Sequence, residues 1–169
     1  MIRHAVSDLD GTLLNGSFEW DQVIEKEISR LLERGYDFAA ATGRTEEGVK
    51  NCPGLWKMPV YLILMNGALI LDPQRRPILE KTVSLETKEY FLKKYPEANL
   101  EFITREKTLT RLSRETYIRE YGAWDMWRKK VLDKKESGYY DRYMARISFG
   151  CSEEEIRTAP VLKINGLEL

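Results

Sequence analysis

Cysteine and histidine are scarce in this sequence. Its 169 residues include two cysteines, Cys52 and Cys151, and one histidine, His4. The cysteines lie far apart and form no C-x-x-C or Cys/His spacing, which argues against a zinc site. The pattern predicts two reduced thiols in a cytoplasmic protein. We expect His4 to lie at the surface or at the edge of a strand.

An excess of charge is also lacking, because 27 lysines and arginines balance 27 aspartates and glutamates. This balance does not favour nucleic acid or an anionic membrane, so any anionic ligand must be bound by local groups. No run of about 18 uncharged apolar residues could span a membrane. The N-terminal MIRHAVSDLDG carries acidic residues where a signal peptide is apolar. We therefore predict a soluble, cytoplasmic protein.

The first half of the chain alternates apolar runs with helical patterns. Continuous apolar runs predict β-strands over residues 2–9, 36–41 and 60–65. A helix is predicted between the first two strands, with Asp21 as its N-cap and Gly35 just past its end. A short helix over residues 45–51, stopped by Pro53, follows the second strand. This order predicts an α/β fold with parallel strands covered on both faces and joined by right-handed crossovers.

Small or polar residues follow each predicted strand. The three segments are Ser7 to Thr12, Thr42 to Arg44, and Asn66-Gly67. In open parallel sheets, ligands bind in the crevice outside the carboxyl ends of the strands. The sequence therefore predicts that these segments converge on a ligand site.

The pattern changes from Asp72 onward. Residues 72–77 predict a turn in a hairpin that leaves the sheet. The elements predicted beyond it are a helix over 85–95 capped by Ser84, strands over 100–104, 108–112 and 145–149, a helix that begins at Ser152, and a final strand in VLKINGLEL. We therefore divide the chain into a first domain over residues 1–78 and a second, α+β domain over residues 79–169.

Asp8 and Asp10 are the most informative pair in the sequence. Alternate residues of a strand point to the same face, so both carboxylates would project together while Leu9 turns into the core. Gly11 would let the chain bend sharply beside a ligand. Two adjacent carboxylates can divide the chemistry, because one acts as nucleophile or metal ligand while the other moves a proton.

The stretch DLDGTLL at residues 8–14 resembles the first signature motif of the haloacid dehalogenase superfamily of phosphohydrolases. TGR at 42–44 and NGA at 66–68 are similar to segments of its Cof-type branch, subfamily IIB, which carries a large α+β cap after the third strand. The resemblance implies that residues 1–78 hold the first three strands of a Rossmann-like core and that residues 79–169 form a partial cap. It also implies hydrolysis of phosphomonoesters through an aspartyl-phosphate.

The same resemblance implies roles for the motif residues. Asp8 would be the nucleophile, and Asp10 would protonate the leaving oxygen and later activate water. Mg²⁺ would be coordinated by the Asp8 carboxylate and the main-chain oxygen of Asp10. Thr42 would hold the phosphoryl group with its hydroxyl. The other implied phosphate- or substrate-binding residues are Leu9, Gly11, Thr12, Gly43, Arg44, Asn66 and Gly67.

Simpler structural explanations exist for these residues. Asp-x-Asp-Gly also occurs in turns and in calcium loops, although the EF-hand pattern needs further acidic ligands that the following residues lack. Thr42 or Thr45 could cap a helix. Asn66-Gly67 is a common hairpin dipeptide, so turn geometry alone would explain it.

Two pieces that the family pattern needs after its cap have no convincing counterpart in residues 68–169. The first is a lysine that offsets charge at the phosphoryl group, and the nearest candidate, Lys163, lies in an apparent cap strand. The second is an acidic pair at a strand end, for which Glu153-Glu154-Glu155 is the nearest candidate, but Ser152 with Glu155 fits a capping box instead. These gaps imply a weakened Mg²⁺ site. They also imply an open edge on the first strand, which invites dimerisation, pairing with a complementing fragment, or aggregation.

Several functions are compatible with these residues. The first is a Mg²⁺-dependent phosphatase that acts on a small phosphorylated metabolite such as a sugar phosphate. The second is a non-catalytic remnant that binds phosphate-like anions or a partner chain, and the third is a phosphomutase. The aromatic and charged segment 114–143 could stack on nucleic acid, but we interpret it as a packed and solvated cap helix. A truncated gene product, a cleaved fragment and a genuine short variant all fit the sequence.

Overall fold

The computed structural model of the protein describes residues 3–14, 20–120 and 139–166. The chain divides into two compact units, Met1–Lys81 and Thr82–Leu169. Each unit contains its own β-sheet. Among the described residues, no helix is long and apolar enough to cross a membrane.

The first unit contains a five-stranded sheet in the order β1-β2-β3-β4-β5. Its strands are β1 (His4–Asp8), β2 (Asp37–Ala41), β3 (Tyr61–Leu64), β4 (Leu69–Leu71) and β5 (Pro77–Glu80). The first three strands pair in parallel, with Asp8 opposite Ala41 and Ala41 opposite Ile63. The three predicted strands and their parallel arrangement are therefore confirmed.

The hairpin after β3 differs from its prediction. Both β4 and β5 pair antiparallel with the strand before them, so the hairpin extends the sheet and does not leave it. Leu69 and Leu71 of β4 are fully buried, and this burial is available only if β4 stays in the sheet. The turn itself is organised by Asp72, whose carboxylate accepts hydrogen bonds from the backbone N–H groups of Gln74 and Arg76.

Three helices accompany this sheet: α1 (Gln22–Glu33), α2 (Glu46–Lys50) and α3 (Pro53–Lys57). The predicted N-cap of α1 is confirmed, because Asp21 Oδ1 accepts a 2.7 Å hydrogen bond from the backbone N–H of Val23. Gly35 follows the helix with a left-handed φ of 78°. Pro53 lies beyond the end of α2, as predicted, but it also begins α3, which the sequence analysis missed. The fixed φ of proline suits the first position of a helix.

Arg75, in the turn between β4 and β5, fixes the end of α3. Its guanidinium donates hydrogen bonds to the carbonyl oxygens of Leu55, Trp56, Met58 and Val60. The last carbonyls of a helix lack partners within the helix. The hairpin therefore supplies hydrogen-bond donors to these carbonyl oxygens and ties the end of α3 to the turn between β4 and β5.

Strand β1 lies at one edge of the sheet. Within the described residues no strand pairs with its outer edge, and Val6 is 62% exposed. His4 is also exposed, and its Nδ1 lies 3.0 Å from Asp37 Oδ2, which agrees with a histidine at a strand edge. The open edge expected for the first strand is therefore present in the part of the chain described.

The second unit contains a four-stranded sheet in the order β8-β7-β6-β9. Its strands are β6 (Leu100–Ile103), β7 (Thr108–Leu109), β8 (Ile147–Ser148) and β9 (Lys163–Gly166), and its helices are α4 (Leu85–Lys94), α5 over residues 114–120, α6 (Tyr139–Ala145) and α7 (Glu153–Thr158). The caps predicted at Ser84 and Ser152 are confirmed. Strands β7 and β8 are shorter than predicted. The rest of the predicted cap helix, residues 121–138, lies outside the described residues.

Helices α4 and α7 cover an apolar cluster on the sheet of the second unit, which includes Leu92, Phe102 and Ile156. Lys88 of α4 is almost fully buried, and its Nζ donates to the carbonyl oxygens of Arg157 and Ala159 at the end of α7. The second unit therefore has a core of its own. Both cysteines are buried and unpaired, as expected for reduced thiols.

Candidate active site at the ends of three parallel strands

The loops that follow β2 and β3 are joined by backbone hydrogen bonds. The Thr42 N–H donates to the Ile63 carbonyl at 2.9 Å, the Met65 N–H to the Arg44 carbonyl at 3.0 Å, and the Asn66 N–H to the Thr42 carbonyl at 3.2 Å. Because β1 ends beside β2 in the same parallel register, its polar end lies at the same edge. The predicted convergence of the three segments is confirmed.

The segment after β3 is a tight hairpin turn. Met65, Asn66 and Gly67 all have left-handed backbone angles, with φ of 51°, 58° and 92°. Asparagine and glycine tolerate this conformation best. The turn links β3 to β4, so the structural explanation of Asn66-Gly67 holds, and a ligand role for these residues stays a proposal.

The segment after β1 turns back on itself. The Leu14 N–H donates to the Leu9 carbonyl at 2.8 Å, and Gly11 takes a left-handed φ of 81°. Leu9 is fully buried, whereas Asp8 and Asp10 are exposed. The expected alternation is therefore present, with two carboxylates at the surface on either side of a core leucine. Gly11 and Thr12 are exposed on the same turn.

Asp10 is held by side chains from the segment after β2. Arg44 Nε lies 3.1 Å from both carboxylate oxygens of Asp10, and Arg44 Nη2 lies 2.5 Å from Oδ1. The Thr42 hydroxyl donates to Asp10 Oδ2 at 3.3 Å. The sequence does not predict this pairing, because Asp10 and Arg44 are 34 positions apart and no local pattern connects them.

Thr42 and Thr45 have different roles. Thr42 is buried, and its hydroxyl oxygen accepts a hydrogen bond from the Arg44 N–H at 3.2 Å. Thr45 is the N-cap of α2, because its hydroxyl accepts from the Gly48 N–H at 3.1 Å. The capping explanation therefore applies to Thr45. Thr42 is left to orient Asp10 and the backbone of Arg44.

Asp8 lies in a different environment from Asp10. Its side chain is exposed at the end of β1, and no hydrogen bond or ion pair engages its carboxylate within the residues described. Its main-chain carbonyl accepts hydrogen bonds from the Ser7 hydroxyl and the Leu13 N–H. The backbone of Asp8 is thus fixed while its carboxylate stays open to a ligand.

Cys52 is a neighbour of this site that the sequence analysis did not assign to it. Burial raises the pKa of its thiol, while the nearby charges act in opposite directions, Arg44 lowering it and Asp10 raising it. A thiol with a raised pKa is a poor nucleophile at neutral pH. This environment does not favour Cys52 as a nucleophile.

The residues described do not by themselves complete a metal site. Nowhere in that part of the chain do three or more histidine, cysteine, aspartate or glutamate side chains come together as a metal would need. The two oxygen ligands that the family resemblance implies, the Asp8 carboxylate and the main-chain oxygen of Asp10, would be too few for Mg²⁺, which prefers six in octahedral geometry. The present residues therefore fit only part of a Mg²⁺ site.

The two doubtful candidates for the missing pieces lie in the second unit. Lys163 is in β9, opposite Ile103 of β6, and burial lowers the pKa of its amine while Glu101 raises it. Ser152 and Glu155 form a complete capping box at the start of α7. Lys163 is therefore explained by its place in the sheet, and Ser152 and Glu155 are explained by the cap of α7.

Known proteins resemble this chain over much of its length. A family model described as haloacid dehalogenase-like hydrolase matches residues 5–159. A Buchnera aphidicola protein described as a candidate phosphatase is 36% identical over 88 residues, which are 52% of this chain and 33% of that protein. A Mycoplasma pneumoniae protein with the same description is 38% identical over 85 residues, 46% of this chain and 29% of that protein. The matched part spans about a third of the length of these relatives.

A solved structure resembles nearly the whole chain. This structure, a haloacid dehalogenase-like hydrolase from Bacillus subtilis, matches 98% of this chain with a TM-score of 0.68 and 20% sequence identity. The match covers 59% of the Bacillus protein. At this identity the likeness concerns the fold, and the rest of the Bacillus protein has no counterpart in this chain.

Proposed function

The chain belongs to the haloacid dehalogenase-like hydrolases, in the Cof-type branch, and from this membership we propose that it hydrolyses phosphomonoesters of small metabolites with Asp8 as the nucleophile. One observation carries the proposal. Asp8 presents an open carboxylate at the end of β1, whereas Asp10, two residues later, is held by Arg44 and Thr42. Two carboxylates in different environments can take different roles in one reaction.

In the first proposed step, a carboxylate oxygen of Asp8 attacks the phosphorus of the ester. The bond from phosphorus to the leaving oxygen breaks, and Asp10 gives its proton to that oxygen. The products are the free alcohol and an aspartyl-phosphate on Asp8. Phosphoryl transfer of this kind depends mainly on in-line positioning and on neutralising charge on the phosphoryl oxygens.

In the second proposed step, Asp10 accepts a proton from water as the water oxygen attacks phosphorus. The bond between phosphorus and the Asp8 oxygen breaks, which releases inorganic phosphate and restores both carboxyl groups. We assign the phosphoryl oxygens to the Thr42 hydroxyl and the N–H groups of Leu9, Asp10 and Gly43. The remaining proposed contacts of phosphate or substrate are Gly11, Thr12, Arg44, Asn66 and Gly67.

We propose Mg²⁺ as the cofactor because the family implies it. The Asp8 carboxylate and the Asp10 main-chain oxygen are its ligands in this proposal, and when bound it would offset charge on the phosphate. These two ligands are too few for a complete site within the residues described, so no step of the reaction is derived through the metal.

The second unit is the cap in this proposal, and the substrate is a small phosphorylated metabolite such as a sugar phosphate. Support comes from its position in the sequence, after the third parallel strand, and from its separate α+β core. A cap of this kind excludes water from a phosphoryl-transfer site.

A non-catalytic remnant is the second candidate function. It is favoured by the incomplete set of Mg²⁺ ligands among the described residues, where no three metal-binding side chains come together. Such a remnant would still bind phosphate-like anions at Thr42 and Arg44.

We also propose a second copy of this chain as the partner at the open edge of β1. Unpaired backbone groups of an edge strand form a template for another strand. Antiparallel pairing about a two-fold axis at Val6 would join each β1 edge to an identical edge, with His4 of one copy opposite Asp8 of the other.

Hydrolysis of p-nitrophenyl phosphate with and without Mg²⁺ tests the catalytic proposal. We expect Mg²⁺-dependent turnover by the natural sequence and its loss in Asp8→Asn, because an amide oxygen is a far weaker nucleophile. Asp37→Asn is the matched control, since it makes the same change on the exposed first residue of β2, and it should leave turnover within about twofold.

Hydroxylamine trapping of an acyl phosphate during turnover provides a second readout. Undiminished turnover in Asp8→Asn would overturn the proposed nucleophile. Turnover at the buffer background in the natural sequence would leave the non-catalytic remnant as the function of this chain.

A further inference from the structure

The guanidinium of Arg44 is committed to Asp10. The edge formed by Nε and Nη2 makes its contacts with the two oxygens of the Asp10 carboxylate, at 3.1 Å from Nε and 2.5 Å from Nη2. This is the side-on geometry in which a guanidinium binds a planar anion most strongly. The pair is accessible, with 25% of the arginine side chain and 37% of the aspartate side chain exposed. A ligand that enters from solvent can therefore reach it.

The rest of Arg44 is fixed. Its N–H donates to Thr42 Oγ1 at 3.2 Å and its carbonyl accepts from the Met65 N–H at 3.0 Å, which holds the backbone between the segments after β2 and β3. The remaining nitrogen, Nη1, lies 3.4 Å from the Gly48 carbonyl in α2. The guanidinium can move only by rotation of the side chain. Its edge formed by Nε and Nη2 is already occupied by Asp10.

We propose that Arg44 is shared between Asp10 and the phosphate of a ligand, so that phosphate binds by displacing the Asp10 carboxylate from the guanidinium. This inference rests on the proposed function for the class of ligand. Phosphate offers a similar pair of oxygens to a carboxylate and carries more charge. It is therefore the stronger partner for the Nε–Nη2 edge of the guanidinium. Without phosphate, Arg44 keeps the Asp10 side chain turned toward the segment after β2.

The exchange has a consequence for the chemistry. Asp10 must give up and take up a proton at the leaving oxygen and at water, which requires a carboxyl group that is not engaged by a cation. Phosphate binding would release Asp10 at the moment when that group is needed. In this proposal Arg44 binds the phosphate directly and, by leaving Asp10, frees that carboxyl group for proton transfer.

A double-mutant cycle on phosphate affinity tests the exchange. The probe is inorganic phosphate, titrated by calorimetry into the natural sequence, Asp10→Asn, Arg44→Gln and the double variant. We expect Arg44→Gln to weaken binding about tenfold because a charge-assisted pair is lost. We expect Asp10→Asn to tighten binding several-fold because the competitor is removed, and to have a clearly smaller effect when Arg44 is already glutamine.

Asp8→Asn provides the matched control cycle. It removes a carboxylate from the same edge that has no pairing with Arg44, so its effect on phosphate affinity should be the same with arginine or glutamine at position 44. Thermal unfolding of every variant shows whether it is folded. Arg44→Lys keeps the charge but loses the two-nitrogen edge of the guanidinium. It should therefore recover only part of the phosphate affinity that Arg44→Gln loses.

Each outcome decides the matter. Non-additivity in the Asp10 cycle with additivity in the Asp8 cycle supports the exchange. Additivity in both cycles, or failure of the natural sequence to bind phosphate, overturns it. Phosphate affinity does not require turnover, so an inactive protein with a non-additive Asp10 cycle would refute the proposed hydrolysis and keep the exchange. An active protein with additive cycles would support the proposed hydrolysis and refute the exchange.

Discussion

At the scale of single residues, Thr42 shows how one buried hydroxyl organises the site. It accepts from the Arg44 N–H and donates to Asp10 Oδ2, so it orders both members of the ion pair at once. Only a side chain with both a donor and an acceptor at this position can make the two bonds. The threonine at position 42 is therefore explained by its hydrogen bonds in the unliganded site as well as by its proposed contact with phosphate.

Replacement of Thr42 by valine should destabilise the first unit. Valine keeps the shape but leaves the Arg44 N–H without its acceptor, a loss of about 1–3 kcal/mol for a buried polar group. Thr42→Ser keeps the hydroxyl and removes one methyl group, which should cost about 0.8 kcal/mol. Urea unfolding of the two variants measures the difference. Equal stability of valine and serine variants would contradict the role given to the hydroxyl.

At the scale of elements, the side chain of Trp20 contacts both α1 and α3. The indole Nε1 of Trp20 donates to Glu25 Oε2 of α1 at 2.7 Å. The same ring lies so close to α3 that a Cβ on Gly54 would be 2.2 Å from Trp20 Cδ1. The glycine in α3 is therefore required by the approach of Trp20, although glycine is a poor helix former.

Gly54→Ala tests this contact. Alanine normally favours a helix over glycine by about 1 kcal/mol, but here the indole must move, and overpacking of this kind costs about 1–3 kcal/mol. We expect a net loss of unfolding free energy in the natural background. In a Trp20→Ala background the same change should be neutral or stabilising. A stabilising effect in both backgrounds would show that Trp20 does not restrict position 54.

The turn between β4 and β5 should make the free energy of unfolding depend on pH in the acid range. Burial by itself would raise the pKa of Asp72, but hydrogen bonds from the N–H and guanidinium of Arg76 hold it below its ordinary value of 3.8. A carboxyl group with a lowered pKa in the folded state stabilises the fold above its unfolded pKa. That contribution is lost as the pH falls through the folded value.

The difference in stability between the natural sequence and Asp72→Asn should therefore be constant at neutral pH and shrink below about pH 4. Urea unfolding from pH 7 down to pH 2.5 or so measures this difference. Gln74→Ala changes the same turn without a titrating group, so its effect should not vary with pH. A constant difference for Asp72→Asn across this range would exclude the carboxylate as the acid-sensitive group.

At the scale of the whole molecule, the first sheet is asymmetric. Strand β1 carries the proposed nucleophile and has an exposed Val6, whereas the neighbouring β2 has Ala40 fully buried. Exposed Val23 of α1 adds to the apolar surface of this unit. Of the two edges of this sheet in the described part of the chain, β1 and β5, the β1 edge is the one that carries the proposed nucleophile, and both edges expose apolar side chains.

Cross-linking tests the second copy proposed at this edge. In antiparallel pairing about Val6, the two copies of Val6→Cys face each other with Cα atoms about 4.5–5.5 Å apart, which a disulfide accepts. We expect mild oxidation to yield a covalent dimer. The native thiols do not interfere, because both are buried. Ile78→Cys, 60% exposed on β5, is the control and should not cross-link.

Sedimentation of Val6→Lys complements the cross-link. A charge at the centre of the pairing edge should shift the chain toward monomer. A monomeric natural sequence at all concentrations would argue against a second copy and in favour of a complementing fragment at β1.

Local chemistry was enough to predict the three parallel strands, the helix N-caps and the polar segments, but not α3 or the ends of β7 and β8. The predicted features depend on neighbours within a few positions, which can be read directly from the sequence. They are the apolar runs of β1, β2 and β3, the caps at Asp21, Ser84 and Ser152, and the polar segments after the strands. The family resemblance of residues 8–14 rests on the same kind of short motif and agrees with the match over residues 5–159.

Tertiary structure alone decided three other features. The pairing of Arg44 with Asp10 joins residues 34 positions apart, the packing of Trp20 on Gly54 joins two helices, and the inclusion of β4 in the sheet depends on the burial of Leu69 and Leu71. None of these has a local signal, because each depends on which segments the parallel sheet brings together. The sequence by itself therefore indicated the candidate groups for the proposed chemistry, and the fold decided which of the two carboxylates is held and which is open.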